Sequence, residues 1–327
     1  MREETKNAAW AWSLFWQADN QRACSPLNSV PDDSPLDRVW EGFFQDLPKD
    51  SVILDVGTGN GALAVLAQKV LGDRAQVHGV DVAEIDPVTF VSSARGLQSI
   101  TFHPGVTMEQ LPFDDGYFDA VVGQYALEYS KLEHSVPEAL RMLRSRGRFC
   151  FLVHAAGGAL ETRNSLQQRQ AQTLLDSSLF QDLGRLLPAI VSAQTLETER
   201  SIAADCALQA ARDEINRFST TLQHLETIFA DDGDTDMVAR LLSAVRQIPA
   251  VRLQYTLPEL LQQASDLEAR LPAQALRLQA MLDAALDDAG LTRLQHDLQR
   301  HGASRLEVRE ASSAARGLLG YWVLGER

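Results

Sequence analysis

Long apolar runs are missing from this chain. No stretch of 18 apolar residues occurs, so no segment qualifies as a membrane-spanning helix. Residues 1–6 are charged, and polar residues interrupt the segment after them. The apolar stretch and small-residue cleavage site of a secretory signal are therefore not expected here. Cysteine is scarce. Cys24, Cys150 and Cys206 are odd in number and far apart, forming neither metal-ligand spacing nor a disulfide framework. No metal is expected, and a reducing cytoplasm is the expected location. Only four lysines occur, and the net charge is −14 at pH 7. Such a surface repels phosphate backbones, which proteins bind through Lys and Arg. Nucleic acid is a disfavoured partner on that ground, although a local basic patch would escape it. The plainer reading is a solubilising surface charge.

What is present is apolar material, 45% of the residues, enough for one large domain or one domain plus an addition. Four regions divide the chain. Residues 1–48 are rich in aromatics and turn formers. Residues 49–157 alternate apolar strands with helical stretches, as in a parallel α/β sheet. Strands are predicted at 51–56, 76–80, 99–103, 118–123 and 147–154, with helices at 62–71 and 136–143. Residues 158–303 change character. Gln, Leu, Ala and Arg dominate, Lys is absent, and apolar residues recur three and four apart, as at Leu174, Leu175, Leu179 and Leu183. This predicts a helical insertion. Residues 304–327 return to strand pattern around 305–309 and 320–325.

The strongest motif is Ile53-Leu54-Asp55-Val56-Gly57-Thr58-Gly59-Asn60-Gly61. A buried strand ends, glycines turn the chain, and a helix begins. Glycine keeps side chains from blocking a ligand's approach to the backbone, and the helix start offers free N–H groups. Gly57, Gly59 and Ala62 also satisfy a dinucleotide fingerprint. The acid of Val77-His78-Gly79-Val80-Asp81 ends the second strand, where a carboxylate accepts from ribose hydroxyls. Neither motif separates a nicotinamide dinucleotide from S-adenosylmethionine (SAM).

The run Glu109-Gln110-Leu111-Pro112-Phe113-Asp114-Asp115-Gly116-Tyr117-Phe118-Asp119 does. With Asp55 before it and Ala126-Leu127-Glu128 after it, the sequence resembles class I SAM-dependent methyltransferases, in the large group that includes ubiquinone and menaquinone methyltransferases. Residues 141–149 resemble the helix–turn–strand that comes next in that group, where the turn is usually Pro-Gly-Gly. The resemblance covers about 40–156 plus the tail. It implies a Rossmann-like, doubly wound, mostly parallel seven-stranded sheet with an antiparallel last strand, interrupted by the helical insertion between strands five and six.

The resemblance also implies binding roles. Asp55 would lie near the methionine amino group. Gly57, Thr58, Gly59, Asn60 and Gly61 would line methionine and ribose. Asp81 would hold the ribose hydroxyls, and Val82 would pack on the adenine. Gln124 would sit beside the methyl-bearing part. The group's usual adenine-binding acid is missing: Thr107 and Met108 occupy that stretch, leaving a hydroxyl, a backbone or Glu109 to serve. For Asp119 a bond within its own turn outweighs catalysis. Glu128 reads equally as a helix-start acid or a substrate contact.

The methyl of SAM is already electrophilic, so catalysis is mainly alignment, and a base is needed only if the acceptor must lose a proton. His154, after strand five at the ligand edge of the sheet, is the candidate base. Its plainer reading is a histidine that hydrogen-bonds a loop. His103 and His134 have weaker claims. Tyr125 and Tyr129 are candidates for the acceptor pocket, as is the stretch from Trp16 to Pro26. Trp12, Phe15 and Trp16 would share a helix face, either packed on the body or acting as a lid.

The expected function is methyl transfer to an oxygen, nitrogen or carbon of a small-molecule acceptor, with the insertion as cap. Alternatives are methylation of RNA or protein through the insertion, a homodimer formed by it, or SAM binding without catalysis. A nicotinamide-dependent reductase leaves residues 111–119 unexplained.

Overall fold

The computed structural model describes residues 2–18, 20, 35–92, 96–196 and 202–327, without the side chains of 2–7, 35, 196, 202 and 203. The chain forms two compact units. One comprises Met1–Asn164 and Gln279–Arg327; the other is Ser165–Leu278.

The first unit holds a seven-stranded sheet. Its strands are β1 (Val52–Val56), β2 (Gln76–Asp81), β3 (Ile100–Pro104), β4 (Phe118–Gln124), β5 (Leu143–Val153), β6 (Ser304–Ser313) and β7 (Gly317–Glu326). They lie in the order β3-β2-β1-β4-β5-β7-β6. The first five are parallel, and β7 runs antiparallel between β5 and β6. All five residues of β1 are buried, which is why it reads as a continuous apolar run: a central parallel strand is covered on both faces. The Rossmann-like, doubly wound arrangement is the expected one.

Helices of this unit are α1 (Arg2–Trp16), α2 (Pro35–Gln45), α3 (Ala62–Leu71), the short α4 (Pro87–Phe90) and α5 (Leu132–Met142). Helix α6 (Ala159–Leu175) follows β5, and α11 (Asp288–Arg300) precedes β6. Leu54, Val121, Phe149, Phe151 and Val323 of the sheet cluster with Leu140 of α5 and Leu291, Leu294 and Leu298 of α11. The boundary expected at 303 therefore shifts. Composition runs unbroken into α11, but its Leu291-Leu294-Leu298 stripe belongs to the core of the sheet-bearing unit.

β5, β6 and β7 (Gly317–Glu326, against 320–325) extend well beyond their expected ranges. β5 begins at Leu143, where the pairing with β4 shifts register between Phe118 and Ala120. β6 continues to Ser313 because it pairs with β7 as a hairpin. Asp119 does not bond within its own turn. One oxygen accepts from the backbone N–H of Val52 at 2.8 Å and the other pairs with Arg144 at 2.7 Å. It ties β4 to β1 and to the start of β5, partners that sequence neighbours do not reveal.

The second unit is helical: the greater part of α6, then α7 (Leu179–Leu196), α8 (Ile202–Phe229), α9 (Asp236–Ala250) and most of α10 (Leu257–Ala284). Its core is built from Leu179, Leu183 and Leu187 of α7, Phe218 and Leu225 of α8, and Leu242 and Val245 of α9, all buried. Asp182 is buried there as well, accepting from the Ser178 and Thr221 hydroxyls. No described helix is long and apolar enough to cross a membrane.

Assigning α11 to the sheet core has a measurable consequence. Leu294 is fully buried and Leu253 is 73% exposed. Leu294→Ala is expected to cost ~2–5 kcal/mol in denaturant unfolding of the sheet-bearing unit. Leu253→Ala should stay within about 0.5 kcal/mol.

Candidate active site

The site begins where β1 stops. Gly57, Gly59 and Gly61 all take positive φ, at 63°, 52° and 78°, a region that costs other residues energy. The turn is pinned by the Thr58 N–H on the Val80 carbonyl and the Gly61 N–H on the Thr58 carbonyl. Two glycines are required for close approach as well. A Cβ on Gly57 would strike the Cβ of Ala126, and one on Gly59 would strike the Trp16 indole. What comes close to Gly59 is thus a side chain of α1.

Asp81, at the end of β2, clamps this turn. One oxygen accepts from the Gly59 N–H at 2.8 Å and the other from the Ala83 N–H at 2.9 Å. Asp55 lies beside it and accepts from the Thr58 hydroxyl at 2.6 Å. Both carboxylates are buried. Burial raises the Asp55 carboxyl from its ordinary 3.8 to about 7, with the Thr58 hydrogen bond opposing and the charge of Asp81 adding to the rise. Burial likewise raises Asp81 to about 6, against the hydrogen bonds from Ala83 and Gly59.

A cleft opens over these groups, enclosing about 980 Å³ of non-protein space including its mouth. Asp55, Gly57, Thr58 and Asp81 form part of its wall. Val82, Val106 and Met108, from the segments after β2 and β3, supply an apolar part. Gln124, Tyr125 and Ala126, after β4, supply another, with Tyr129, Trp12 and Trp16 of α1, and Asp37 and Trp40 of α2. Of the expected site residues, the structure thus brings Asp55, Gly57, Thr58, Asp81, Val82, Met108, Gln124, Trp16, Tyr125 and Tyr129 to one cleft. Gly59, Asn60, Gly61 and Thr107 stand just outside its lining. Asn60 instead donates from its amide to the carbonyls of Trp16 and Asn20. Cys24, Ser25 and Pro26 lie outside the described residues.

Asp37 and Trp40 were not singled out by sequence reasoning. They stand three apart on α2, hence on one face, but the neighbouring Phe43 and Phe44 make that helix read as ordinary packing. Trp40 is fully buried and donates from its indole nitrogen to the Gln124 carbonyl at 2.7 Å.

His154 is not in the cleft wall. It is 1% exposed, and its ring lies 4.3 Å from that of Tyr125, centroid to centroid. Its Nδ1 and its backbone N–H both reach the same oxygen of Glu128, at 2.7 and 2.8 Å. The geometry therefore suits His154 to support Tyr125, which holds a positive φ of 54°, and does not present it to an acceptor. Glu128 is buried against His154 rather than offered to substrate. His103 pairs with His78 at 3.2 Å beside Phe113, away from the cleft lining. Among the described residues no group of three or more His, Cys, Asp and Glu could hold a metal ion.

The donor set fits SAM. Among the described residues the lining includes three carboxylates and no Lys, Arg or His, which suits a ligand bearing a sulfonium and an ammonium. The Asn60 side-chain oxygen, on the glycine turn, is buried without a hydrogen-bond partner among the described residues. Asp55 and Asp81 would take the ammonium and ribose hydroxyls, and Val82, Val106 and Met108 the adenine. SAM supplies a methyl on positively charged sulfur; the chain supplies position and charge.

A family model for the methyltransferase domain matches residues 53–147. An uncharacterized methyltransferase, YcgJ, of Bacillus subtilis is 32% identical over 109 residues, 32% of this chain and 41% of that protein. The malonyl-[acyl-carrier protein] O-methyltransferase of Geobacter sulfurreducens is 31% identical over 137 residues, 40% of this chain and 48% of that protein. The chain thus spans less than half the length of these curated relatives. Among solved structures, YcgJ superposes with a TM-score of 0.33 at 25% identity, covering 41% of this chain and 59% of that one. A geranyl diphosphate C-methyltransferase from Streptomyces coelicolor gives 0.35 at 20% identity, covering 46% and 65%.

The raised carboxyls set a pH dependence. A folded-state pKa above the unfolded value gives stability that is present at low pH and lost as pH rises through the folded pKa. For Asp55 the loss spans about pH 4 to 7. Asp55→Asn is therefore expected to raise the ligand-free unfolding free energy at pH 8, on the order of 2 kcal/mol. The gain should shrink at pH 5. Paired denaturant titrations at the two pH values measure it.

Proposed function

We propose, from the premise that residues 53–147 form a class I SAM-dependent methyltransferase domain, that this chain binds SAM in the cleft and transfers its methyl to a small-molecule acceptor. The observation that carries the reading is the convergence of Asp55, Asp81 and the glycine turn on one cleft that also holds an aromatic wall. Asp81 has two roles in this reading: it already fixes the Gly59 and Ala83 amides, and its remaining lone pairs accept from ribose hydroxyls. Tyr125, Tyr129, Trp16 and Trp40 would enclose the methyl and exclude water, which favours an alignment mechanism. The lining suits transfer by positioning, with His154 held behind Tyr125.

The helical unit departs from the chain after β5 ends at Val153, which is the carboxyl edge of the parallel strands, where ligands bind in such sheets. This connection supports a cap that selects the acceptor. An acidic chain with few lysines argues against RNA as that acceptor.

Calorimetry with SAM and with S-adenosylhomocysteine tests the cofactor assignment. Micromolar binding is expected, and Asp81→Ala should weaken it about 10- to 100-fold, the cost of hydrogen bonds to a charged group. No binding to the wild type, or none lost in the variant, would refute the assignment. Excising residues 165–278 should leave SAM binding within threefold and abolish methyl transfer; retained transfer excludes the cap.

A further inference from the structure

We infer that His78 and His103 form an acid-sensitive latch at the β3 edge of the sheet. While the pair shares one N–H it holds the cleft wall formed by Val106 and Met108, and it releases that wall when both rings are protonated. The effect on the cofactor rests on the methyltransferase reading above. In the register of β2 and β3, His103 lies opposite Val80 and His78 opposite Thr101, so the two side chains share one face of the sheet. Nδ1 of His78 and Nε2 of His103 are 3.2 Å apart, with ring centres 5.5 Å apart and planes within 18° of each other. Only the two ring radii separate those distances, so the nitrogens point at each other along the line of centres. That is the geometry of one N–H donated to one lone pair. Phe113 meets both rings edge-on, at 5.2 Å from His103 and 5.7 Å from His78. Phe113 packs against the same core cluster as Val106 and Met108. Val106 stands three residues beyond His103, and its N–H bonds the Asp81 carbonyl at 2.8 Å. Movement at the histidine pair is thereby passed to the wall.

Proton counting gives the latch its sign. A first added proton can settle on an outer ring nitrogen and leave the shared bond intact. A second leaves neither ring a lone pair, so two N–H groups meet head-on and two like charges share a half-buried place. Tyr117 and Phe118 also meet His78 edge-on, at 6.1 and 5.7 Å, so the Tyr117 phenol is a titratable group facing the pair. The acids on the packed elements are engaged elsewhere or exposed. Asp81 clamps the glycine turn, Asp119 bonds Val52 and Arg144, Asp115 pairs with Arg141, Glu109 accepts from the Lys131 N–H, and Asp114 is exposed. Both rings titrate below the ordinary 6.5, His78 through burial and the charge of His103, His103 through burial. A folded-state pKa below the unfolded one gives stability that is present above the unfolded value and lost as pH falls through the folded one. The latch is therefore closed at neutral pH and opens in acid.

His103→Gln tests this, because its amide supplies a donor near the lost Nε2 and takes up no charge. S-adenosylhomocysteine is titrated into full-length wild type and variant at about pH 7.5 and about pH 5, on either side of the ordinary histidine range. Affinities within twofold of each other are expected at the higher pH. At the lower pH the wild type should lose about tenfold more affinity than the variant, one pKa unit of linkage. Asp55 and Asp81 titrate in both proteins, so their share of the acid loss cancels in the comparison. Imidazole NMR of the wild type reads the latch without a variant: two rings should titrate in coupled steps, the second proton entering well below the ordinary value. Equal acid losses in the two proteins, or two rings titrating independently at the ordinary value, overturn the latch. Failure of S-adenosylhomocysteine to bind the wild type at either pH overturns the methyltransferase reading instead. The latch then stands or falls on the NMR titration and on denaturant unfolding, in which the wild type should lose more stability in acid than the variant.

Discussion

A buried carboxylate bound to two backbone amides organises this site. Asp81 reaches from the end of β2 to the Gly59 N–H on the neighbouring turn and to the Ala83 N–H on its own. A buried anion is costly unless hydrogen-bonded, and these bonds recover only part of that cost, which is why the group titrates near 6 rather than near 4. The clamp sets the glycine turn at the height where Asp55, one strand over, meets the same cleft. Two carboxylates placed so close are poorly stable without a positive partner. In the proposed function a cationic donor would relieve that repulsion.

Aromatic packing completes what the clamp begins. Trp16 lies on Gly59 because no Cβ intervenes, and Trp16, Ala83 and Ile85 form a small core with Trp12, Phe15 and Phe102 packed against it. Helix α1 is thereby joined to the same two turns that Asp81 ties together. Of the packed α1 and the lid expected from sequence, the structure shows the packing: Trp16 packs on the turn and also lines the cleft.

Much of the sheet was legible because its strands obey simple rules. A central parallel strand is apolar throughout, a glycine turn demands positive φ, and an acid ends the second strand. Asp55, Gly57, Thr58, Asp81, Val82 and Gln124 follow from those rules and from the family pattern, and they meet in space. The less legible parts depend on distant partners. Asp119 looks like a local turn former, yet it bonds Val52 and Arg144. Helix α11 carries the composition of the insertion, and only the spacing of Leu291, Leu294 and Leu298 hints that it faces a sheet. Asp37 and Trp40 hide in a helix whose phenylalanines dominate its pattern. His154 sits at the ligand edge, as its position after a strand implies, but Tyr125 lies between it and the cleft.

That last arrangement bears on the proposed methyl transfer. A base would need access to the acceptor. His154 is buried outside the cleft lining: its Nδ1 contacts Glu128, and its ring backs Tyr125. Tyr125 in turn sits in a backbone conformation that an ordinary residue avoids and is retained by its surroundings, including the bond from its hydroxyl to the Leu319 carbonyl at 3.2 Å. Glu128 and His154 thus back an aromatic ring of the cleft wall. For the proposed donor, whose methyl needs no further activation, a fixed wall that excludes water would suffice, and Tyr125, one of three described non-glycine residues with positive φ, stands in that wall.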